Sequence, residues 1–265
     1  MPWAKTFSTL AVVLILVIPL NAQTPAALIA PTGTLRAAFL GDNPALGKFD
    51  LQTGAVTGPV ADFVKEFARK LGVPYKLIPS RGTPEIIAQL NAGTADLGFF
   101  AYNANRAKQV DFSPAWLLMP NSYIVRADSP IQKVADADRA GVHIQAVKGD
   151  TQDVYLTNNL KNTKVDAVAT MPAPDEMEKL LLDGKINAFA ANRQRLVEIA
   201  TKFPKLRVVA DDYFVASQSI AIVKDNPARL QAIEKVLNEI LATSVVKDSI
   251  ERAGLHGVNP AQPAH

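Results

Sequence analysis

The sequence predicts an α/β protein built from two similar units that meet at a cleft. Strand-like apolar runs alternate with stretches of helical apolar spacing, which favours mostly parallel sheets covered by helices. One motif occurs twice, as NAGTADLGFFAYNANR at residues 91–106 and as LDGKINAFAANR at residues 182–193. Each copy indicates a helix end, a turn at Gly93 or Gly184, a short strand and a polar tip. Because ligands of open α/β sheets lie beyond the carboxyl ends of the strands, both tips are expected to line one cleft.

Length and composition indicate a large apolar core behind a leader segment. The 265 residues are 48% hydrophobic and 20% charged, and none is cysteine, so the core must stabilise the fold without disulfides. In residues 1–22, one lysine precedes an uncharged apolar run from Leu10 to Leu20. This layout is typical of a cleavable signal peptide. An uncleaved anchor is the alternative, although the run is shorter than the roughly 20 residues that span a bilayer.

In the first unit, periodicity and capping residues predict the order strand, helix, strand, helix, strand. The strands are GTLRAAFL, VPYKLIP and ADLGFFA, and a loop rich in Gly, Asn, Asp and Pro follows the first. The first helix has helical apolar spacing, with Pro59 in its first turn and Gly72 after its end. The second begins at the capping residue Thr83 and ends before Gly93. This order predicts a doubly wound sheet.

The same order returns in the second unit. Residues 103–116 are expected to form a loop, and NSYIVRAD a strand that leads onwards. The predicted strands are AGVHIQAV, KVDAVAT and INAFAA. Between them, one helix is predicted to start near Asp150 and another to cover APDEMEKLLL. A helix, two strands and the terminal helices that open at Asn226 complete the chain.

Residue types that carry common chemistries are absent or scattered. The histidines His143, His256 and His265 are far apart, which argues against a metal site. The chain has no GxSxG, GxxxxGK[ST] or GxGxxG motif. Its formal charge of +3 comes from scattered Lys and Arg, which favours a solvated surface over nucleic-acid binding. We therefore expect no catalytic residue, no metal and no cofactor.

Several stretches together resemble a known family. They include TGPVADFVKEFARKLGVPYKLIP, IIAQLNAGTADLGF, AVKGDTQDVYL and, most specific, RAKQVDFS from Arg106 to Ser113. In order over residues 32–256, they resemble the periplasmic solute-binding proteins of amino-acid-type ABC importers, bacterial extracellular solute-binding protein family 3. The resemblance implies a periplasmic monomer that captures a small-molecule ligand and docks on an inner-membrane ABC permease.

The resemblance also implies a type II periplasmic-binding-protein fold, a two-lobed clamp that closes on its ligand in the manner of a Venus flytrap. Each lobe would be a doubly wound, mostly parallel sheet flanked by helices. Lobe 1 would comprise residues 32–124 and 217–265, and lobe 2 residues 128–212. Two strands near 124–128 and 212–217 would form the hinge. Ligand would favour the closed state by binding it better than the open one.

Three site residues match the family directly. The arginine that opens RAKQVDFS grips the ligand's α-carboxylate in the family, and here it is Arg106. A planar guanidinium binds a carboxylate through two parallel hydrogen bonds, which Lys cannot do. Asp150 and Thr151 match the family's Gly-Thr turn, where a helix start faces the same carboxylate. The alternatives are a surface arginine or internal salt bridge for Arg106, and simple helix capping for Asp150.

Other positions depart from the family pattern. Hydroxyl residues that bind the ligand in the family are here Phe99, Ala101 and Asn103. At the second tip, Asn192 stands where the family has the aspartate that binds the ligand's ammonium group. A neutral amide does not balance a buried cation. The departures favour a carboxylate without an ammonium group, or a neutral polar molecule.

Four aromatic residues are candidate walls of a more apolar pocket. The candidates are Phe99, Phe100, Tyr102 and Trp116, with ordinary core packing as the alternative. Strand alternation allows at most one of Phe99 and Phe100 to face the cleft. Phe49 is a candidate substitute for the family's ligand-stacking aromatic residue, and Asp62 in the first long helix is interpreted as structural.

Three functions compete at this point. The first is the solute-binding component of an ABC importer for a small polar or carboxylate-bearing, amino-acid-like solute. The second is a periplasmic dehydratase on the same fold acting on a cyclic carboxylate, since Arg106 would serve there equally well. The third is a sensor module of a larger receptor, which the chain's end at His265 disfavours.

Overall fold

The computed structural model describes residues 24–263, so the predicted signal peptide, residues 1–22, lies outside the described residues. The helices are α1 Pro25–Ile29, α2 Pro59–Leu71, α3 Thr83–Asn91, α4 Thr151–Asn159, α5 Pro174–Leu182, α6 Arg193–Lys202, α7 Pro227–Leu241 and α8 Val245–Arg252. The strands are β1 Leu35–Leu40, β2 Lys48–Phe49, β3 Val56–Thr57, β4 Tyr75–Ser80, β5 Leu97–Ala101, β6 Val110–Arg126, β7 His143–Val147, β8 Lys164–Val168, β9 Ala188–Asn192, β10 Leu206–Val208, β11 Phe214–Val223 and β12 Asn259–Pro260. Over the same residues, no helix is long and apolar enough to cross a membrane.

The main sheet contains two sets of three parallel strands. Its order is β4-β1-β5-β11-β6-β9-β7-β8, with β10 and β12 paired to β6 and a separate β2–β3 hairpin. Strands β4, β1 and β5 are parallel, as are β8, β7 and β9. In the first triplet β1 lies between β4 and β5, and in the second β7 lies between β8 and β9. The strand that comes first along the chain is thus central in both. The predicted α/β order is therefore confirmed in both units.

The repeated motif occupies equivalent places in the two triplets. In the first, the Asp96 carboxylate accepts the Arg36 N–H at 2.9 Å; in the second, Asn187 Oδ1 accepts the His143 N–H at 2.7 Å. The backbone N–H of Asp96 and that of Asn187 donate in return to the carbonyls of Arg36 and His143. The two motif glycines have φ values of 66° and 68°, which suits a residue without a side chain. In each unit, the turn before the third strand is therefore hydrogen-bonded to the first strand in the same way.

Helices cover both faces of each triplet. Side chains of α2, α7 and α8 pack on one face of the first triplet, and those of α3 pack on the other. In the second triplet, α4 packs on one face, and α5 and α6 pack on the other. Phe99 and its neighbour Phe100 consequently point into two different cores. The same holds for Phe189 and Ala190 on β9.

Strand β6 connects the two triplets. It pairs with β11 over residues 110–121 and with β9 over residues 121–124, so its partner changes at Asn121. The prediction of a loop over 103–116 was therefore wrong for residues 110–116, which form the start of this strand. Pro114 lies beside a register shift against β11, where a missing backbone donor is tolerated.

Candidate functional site

A cavity of about 500 Å³ lies where the carboxyl ends of the two strand triplets meet. Its floor comes from β6 and β11, through Met119, Asn121 and Gln218. One wall follows β1 and β5, and the opposite wall follows β7, β8 and β9. The position agrees with the general rule for ligand sites of open α/β sheets, and the volume suits a small molecule.

Arg106 projects into this cavity from the tip after β5. Its N–H donates to Asn103 Oδ1 at 2.9 Å, which fixes the backbone at the start of the turn. The guanidinium donates to the carbonyl of Ala101 at 2.9 Å and to Asp150 Oδ1 at 2.7 Å. It also lies 5.8 Å from the centroid of the Phe100 ring, within cation–π range. Burial lowers the pKa of Arg106, while Asp150 opposes that shift.

Asp150 reaches Arg106 from the opposite wall. It precedes α4, but its side chain makes no capping hydrogen bond to that helix. The carboxylate instead pairs with Arg106, so the structure shows an ion pair across the cavity where the sequence allowed helix capping. Burial raises the pKa of Asp150, and Arg106 counteracts it. Thr151, the next residue, is buried and lines the cavity.

Arg195 occupies the matching place after β9. Its N–H donates to Asn192 Oδ1 at 3.0 Å, as the N–H of Arg106 does to Asn103. Its guanidinium donates to the backbone carbonyl of Asp42 and lies 3.2 Å from Asp42 Oδ2. Asp42 follows β1 just as Asp150 follows β7. In each unit, one arginine therefore forms an ion pair with the aspartate that follows the first strand of the other unit.

This second ion pair was missed by the sequence analysis. The glycine alignment of the two motifs places Asn103 ten residues after Gly93, whereas Asn192 lies eight residues after Gly184. In that alignment Asn103 and Asn192 are therefore offset by two residues and do not fall on the same position. The spacing Asn-x-x-Arg, at Asn103 and again at Asn192, would have revealed the correspondence.

Asn192 lines the cavity, but its amide oxygen is engaged within its own unit. Oδ1 caps α6 through the N–H of Arg195. Nδ2 is directed towards Asn43 Oδ1 on the opposite wall, at 3.5 Å. Ala101 also lines the cavity and contributes its carbonyl to Arg106. Asn192 therefore presents a donor, not an acceptor, to the facing wall.

The predictions for Phe99 and Asn103 as ligand-binding residues need correction. Phe99 is fully buried and packs against Phe63 and Trp116, with ring centroids 5.8 and 5.6 Å away. It lies in the core because β5 is buried on both faces, and the strand reaches the cavity through Ala101 at its end. Asn103 caps the Arg106 turn and contacts the Gly149 carbonyl at 3.4 Å, outside the cavity lining.

The aromatic candidates for walls of the pocket also lie elsewhere. Trp116 is fully buried in the core with Phe99, and Phe100 is buried on the other face of β5. Tyr102 is 48% exposed and packs edge-on against Phe112. None of the four lines the cavity, and neither does Phe49. Asp62 binds Ser249 and Arg252 of α8, in agreement with the structural role expected for it.

Two buried polar atoms on the cavity wall remain unsatisfied within residues 24–263. They are Thr83 Oγ1 at the start of α3 and Gln218 Oε1 on β11. Both side chains are at most 5% exposed. Buried polar groups normally have hydrogen-bond partners, so these atoms are available to a bound solute. Within residues 24–263, no three or more His, Asp or Glu side chains are grouped so that they could hold a metal ion.

A fold with a cavity between two wound units, lined by opposed charged side chains, defines a cleft-type binding protein. Residues 35–252 match the model of the bacterial extracellular solute-binding proteins, family 3, and the chain belongs to this family. The solute-binding interpretation of the sequence is thereby confirmed.

Individual relatives are more distant. A glutamine-binding protein from Geobacillus stearothermophilus is 27% identical over 179 residues, and this alignment covers 66% of the chain and 66% of the relative. The L-arginine-bound substrate-binding protein AbpA of an amino acid ABC transporter from Streptococcus pneumoniae superposes with a TM-score of 0.68, at 22% identity, over 85% of this chain and 96% of that one. An ancestral amino acid-binding protein, a precursor of cyclohexadienyl dehydratase, gives 0.66 at 23% identity, over 84% and 96%. These likenesses support the type II periplasmic-binding-protein fold.

Proposed function

We propose that this chain is the periplasmic solute-binding component of an ABC importer and that it captures a small carboxylate-bearing solute. The observation that carries the proposal is the position of Arg106, buried, held by the Ala101 carbonyl and directed into the cavity. The relatives named above bind glutamine and L-arginine according to their names, and both molecules carry a carboxylate. Delivery to an inner-membrane permease follows from the family's place in import.

We further propose that the two units are the two lobes of a clamp. Lobe 1 comprises residues 32–124 and 217–265, and lobe 2 comprises residues 128–212. Separate hydrophobic cores for the two triplets support this division. The change of strand partners at Asn121 supports a hinge on β6 a few residues earlier than the 124–128 segment expected from the sequence. The second crossing is the segment before β11, near 212–217.

Binding in this scheme exchanges one carboxylate for another. Asp150 of the opposite lobe accepts a hydrogen bond from the Arg106 guanidinium at 2.7 Å. A solute carboxylate would take that place and leave the guanidinium neutralised, which matters because an unpaired buried charge is costly. Thr151 at the start of α4 faces the same cavity, where backbone N–H groups suit an anion. The solute would then bridge the lobes and favour the closed clamp.

A thermal-shift screen tests the proposal. Protein lacking residues 1–22 is heated with amino acids, keto acids, dicarboxylates and aromatic carboxylates, alone and as the Arg106→Gln variant. A carboxylate at about 100 times its Kd should add about 2.7 kcal/mol to the free energy of unfolding, and Arg106→Gln should abolish the shift. The proposal is wrong if no carboxylate stabilises the protein, or if hits stabilise Arg106→Gln equally well. Turnover of a cyclic carboxylate would instead identify the dehydratase.

A further inference from the structure

We propose that Arg195 is a second anion-binding arginine of the cleft and that the solute carries two anionic groups and no ammonium group. This inference rests on the proposed function, because it names the class of solute for the same cavity. It is carried by the juxtaposition of Arg106 and Arg195, which stand at equivalent positions of the two units and line one cavity of about 500 Å³.

The backbone N–H groups of the two arginines are capped in the same way, and both guanidinium groups make further hydrogen bonds. Each is the third residue after an asparagine whose side chain caps its N–H, at 2.9 Å for Arg106 and 3.0 Å for Arg195. The Arg106 guanidinium donates to the backbone carbonyl of Ala101 in its own unit. That of Arg195 donates to the backbone carbonyl of Asp42 in the opposite unit and contacts Met171 Sδ of its own unit at 2.7 Å. These hydrogen bonds hold the guanidinium groups in fixed positions, which favours recognition of a planar carboxylate.

The aspartates that pair with them are far less restrained. The side chains of Arg106 and Arg195 are 9% and 18% exposed, whereas those of Asp150 and Asp42 are 43% and 60% exposed. A carboxylate that is partly in water can move away when a solute carboxylate takes its place, because the arginine then keeps an anionic partner. The arginines are therefore the fixed receptors, and the aspartates are partners that a solute can displace.

The tip that binds the ligand's ammonium group in the family offers no free acceptor here. Asn192 Oδ1 accepts the N–H of Arg195, and its Nδ2 is a donor. The facing oxygen, Asn43 Oδ1, already accepts the N–H of Ala45 at 3.2 Å. Glu85, the remaining acidic side chain of the cavity, accepts the N–H of Arg81 at 2.8 Å. The unsatisfied oxygens of the cavity wall, Thr83 Oγ1 and Gln218 Oε1, are neutral, so the arginines are the charged groups that a solute with two carboxylates would meet.

Calorimetric titration of the protein lacking residues 1–22 with matched small acids tests the inference. The probes are succinate, glutarate and adipate, their monocarboxylate counterparts of equal length, and L-glutamate and L-arginine. A dicarboxylate should bind at least about tenfold more tightly than its monocarboxylate counterpart, since its second carboxylate pairs with Arg195 through charge-assisted hydrogen bonds. Arg195→Gln should remove this preference and leave monocarboxylate binding in place, whereas Arg106→Gln should weaken both.

Two further variants separate loss of recognition from loss of folding. Asp42→Asn removes the carboxylate that competes for Arg195, so it should tighten dicarboxylate binding several-fold, which a misfolded protein does not do. Arg139→Gln removes an exposed arginine of the same unit outside the cavity and should leave all affinities unchanged. The inference is overturned if monocarboxylates bind as tightly as dicarboxylates, if Arg195→Gln leaves the preference intact, or if an amino acid binds more tightly than its amine-free analogue. Failure of every carboxylate would overturn the proposed function itself.

Discussion

The turns at Asp96 and Asn187 share one backbone geometry but differ in charge. Asp96 is 1% exposed and binds two guanidinium groups, those of Arg36 at 2.8 Å and of Arg229 at 3.4 Å. Asn187 makes the equivalent backbone contact with a neutral amide. Arg229 belongs to α7, in the segment that returns to the first unit, and it also donates to the Ile29 carbonyl of α1. Arg229 therefore links α1 and α7, near the two ends of the described chain, to Asp96 in the first unit. Because its amide is neutral, Asn187 in the second unit makes no such ionic contact.

The largest expected effect is a loss of stability at the charged turn. Asp96→Ala leaves two arginines without their carboxylate in a buried place, which should cost about 3–5 kcal/mol. Asn187→Ala removes a single neutral hydrogen bond and should cost about 1–2 kcal/mol. Urea unfolding of the two variants measures both values. Equal losses would break the contrast between the units.

A loss of binding without a loss of stability is expected at the first arginine tip. Arg106→Gln should weaken glutarate binding by a factor of about 10–100, which corresponds to about 1.5–3 kcal/mol for charge-assisted hydrogen bonds. Phe99→Leu is the matched core variant, since Phe99 lies on the adjacent strand but packs against Phe63 and Trp116. It should lower the melting temperature and leave the Kd for glutarate unchanged. Calorimetry would contradict the core placement of Phe99 if Phe99→Leu weakened binding as strongly as Arg106→Gln.

The two motif glycines should respond alike. Gly93 and Gly184 have φ values of 66° and 68°, and a Cβ built on either would meet nothing within 4 Å. Alanine at either position therefore suffers only the backbone cost of the left-handed region, about 1–2 kcal/mol. Thermal unfolding of Gly93→Ala and Gly184→Ala should give the same loss. Unequal losses would show that the two turns are less equivalent than their hydrogen bonds indicate.

The smallest expected effect concerns pH and Asp150. Because burial raises the pKa of this carboxyl in the folded state, the native protein binds its proton more readily than the unfolded chain does. The contribution of Asp150 to the free energy of unfolding should therefore rise as pH falls from neutrality through the raised pKa towards 3.8, its ordinary value. Since the side chain is 43% exposed, the change should stay below about 1 kcal/mol. A wild-type protein that loses stability relative to Asp150→Asn over this range would contradict the direction.

Much of the fold could be predicted from the sequence, because glycine turns and helical spacing are local. The order of elements in both units follows from such patterns, whereas the expected places of Arg106 and Asp150 and the structural role of Asp62 follow from the resemblance to the family. The face of β5 could not be predicted, since a strand buried on both sides has no polar alternation to show which side chains reach a pocket. Residues 110–116 include Pro114, which is accommodated here at a register shift, and a local pattern does not show such an accommodation.

The second ion pair illustrates a different limit. Arg195 and Asp42 lie 153 residues apart and meet only when the two units face each other. The local motif shows that each tip has a capping asparagine and an arginine, but it does not show what the arginine will reach. Opposed pairs across a cleft depend on the relative placement of the two triplets, which is set by the long strands β6 and β11.

The most direct test of the account is a calorimetric titration of glutarate into Asp150→Asn and wild-type protein side by side. If Asp150 occupies the place of a solute carboxylate on Arg106, the variant should bind glutarate several-fold more tightly, since the competing charge is gone. If Asp150 instead contacts the solute or supports the site, the variant should bind more weakly. Tighter binding is the predicted result, and weaker binding would contradict the exchange of carboxylates on Arg106.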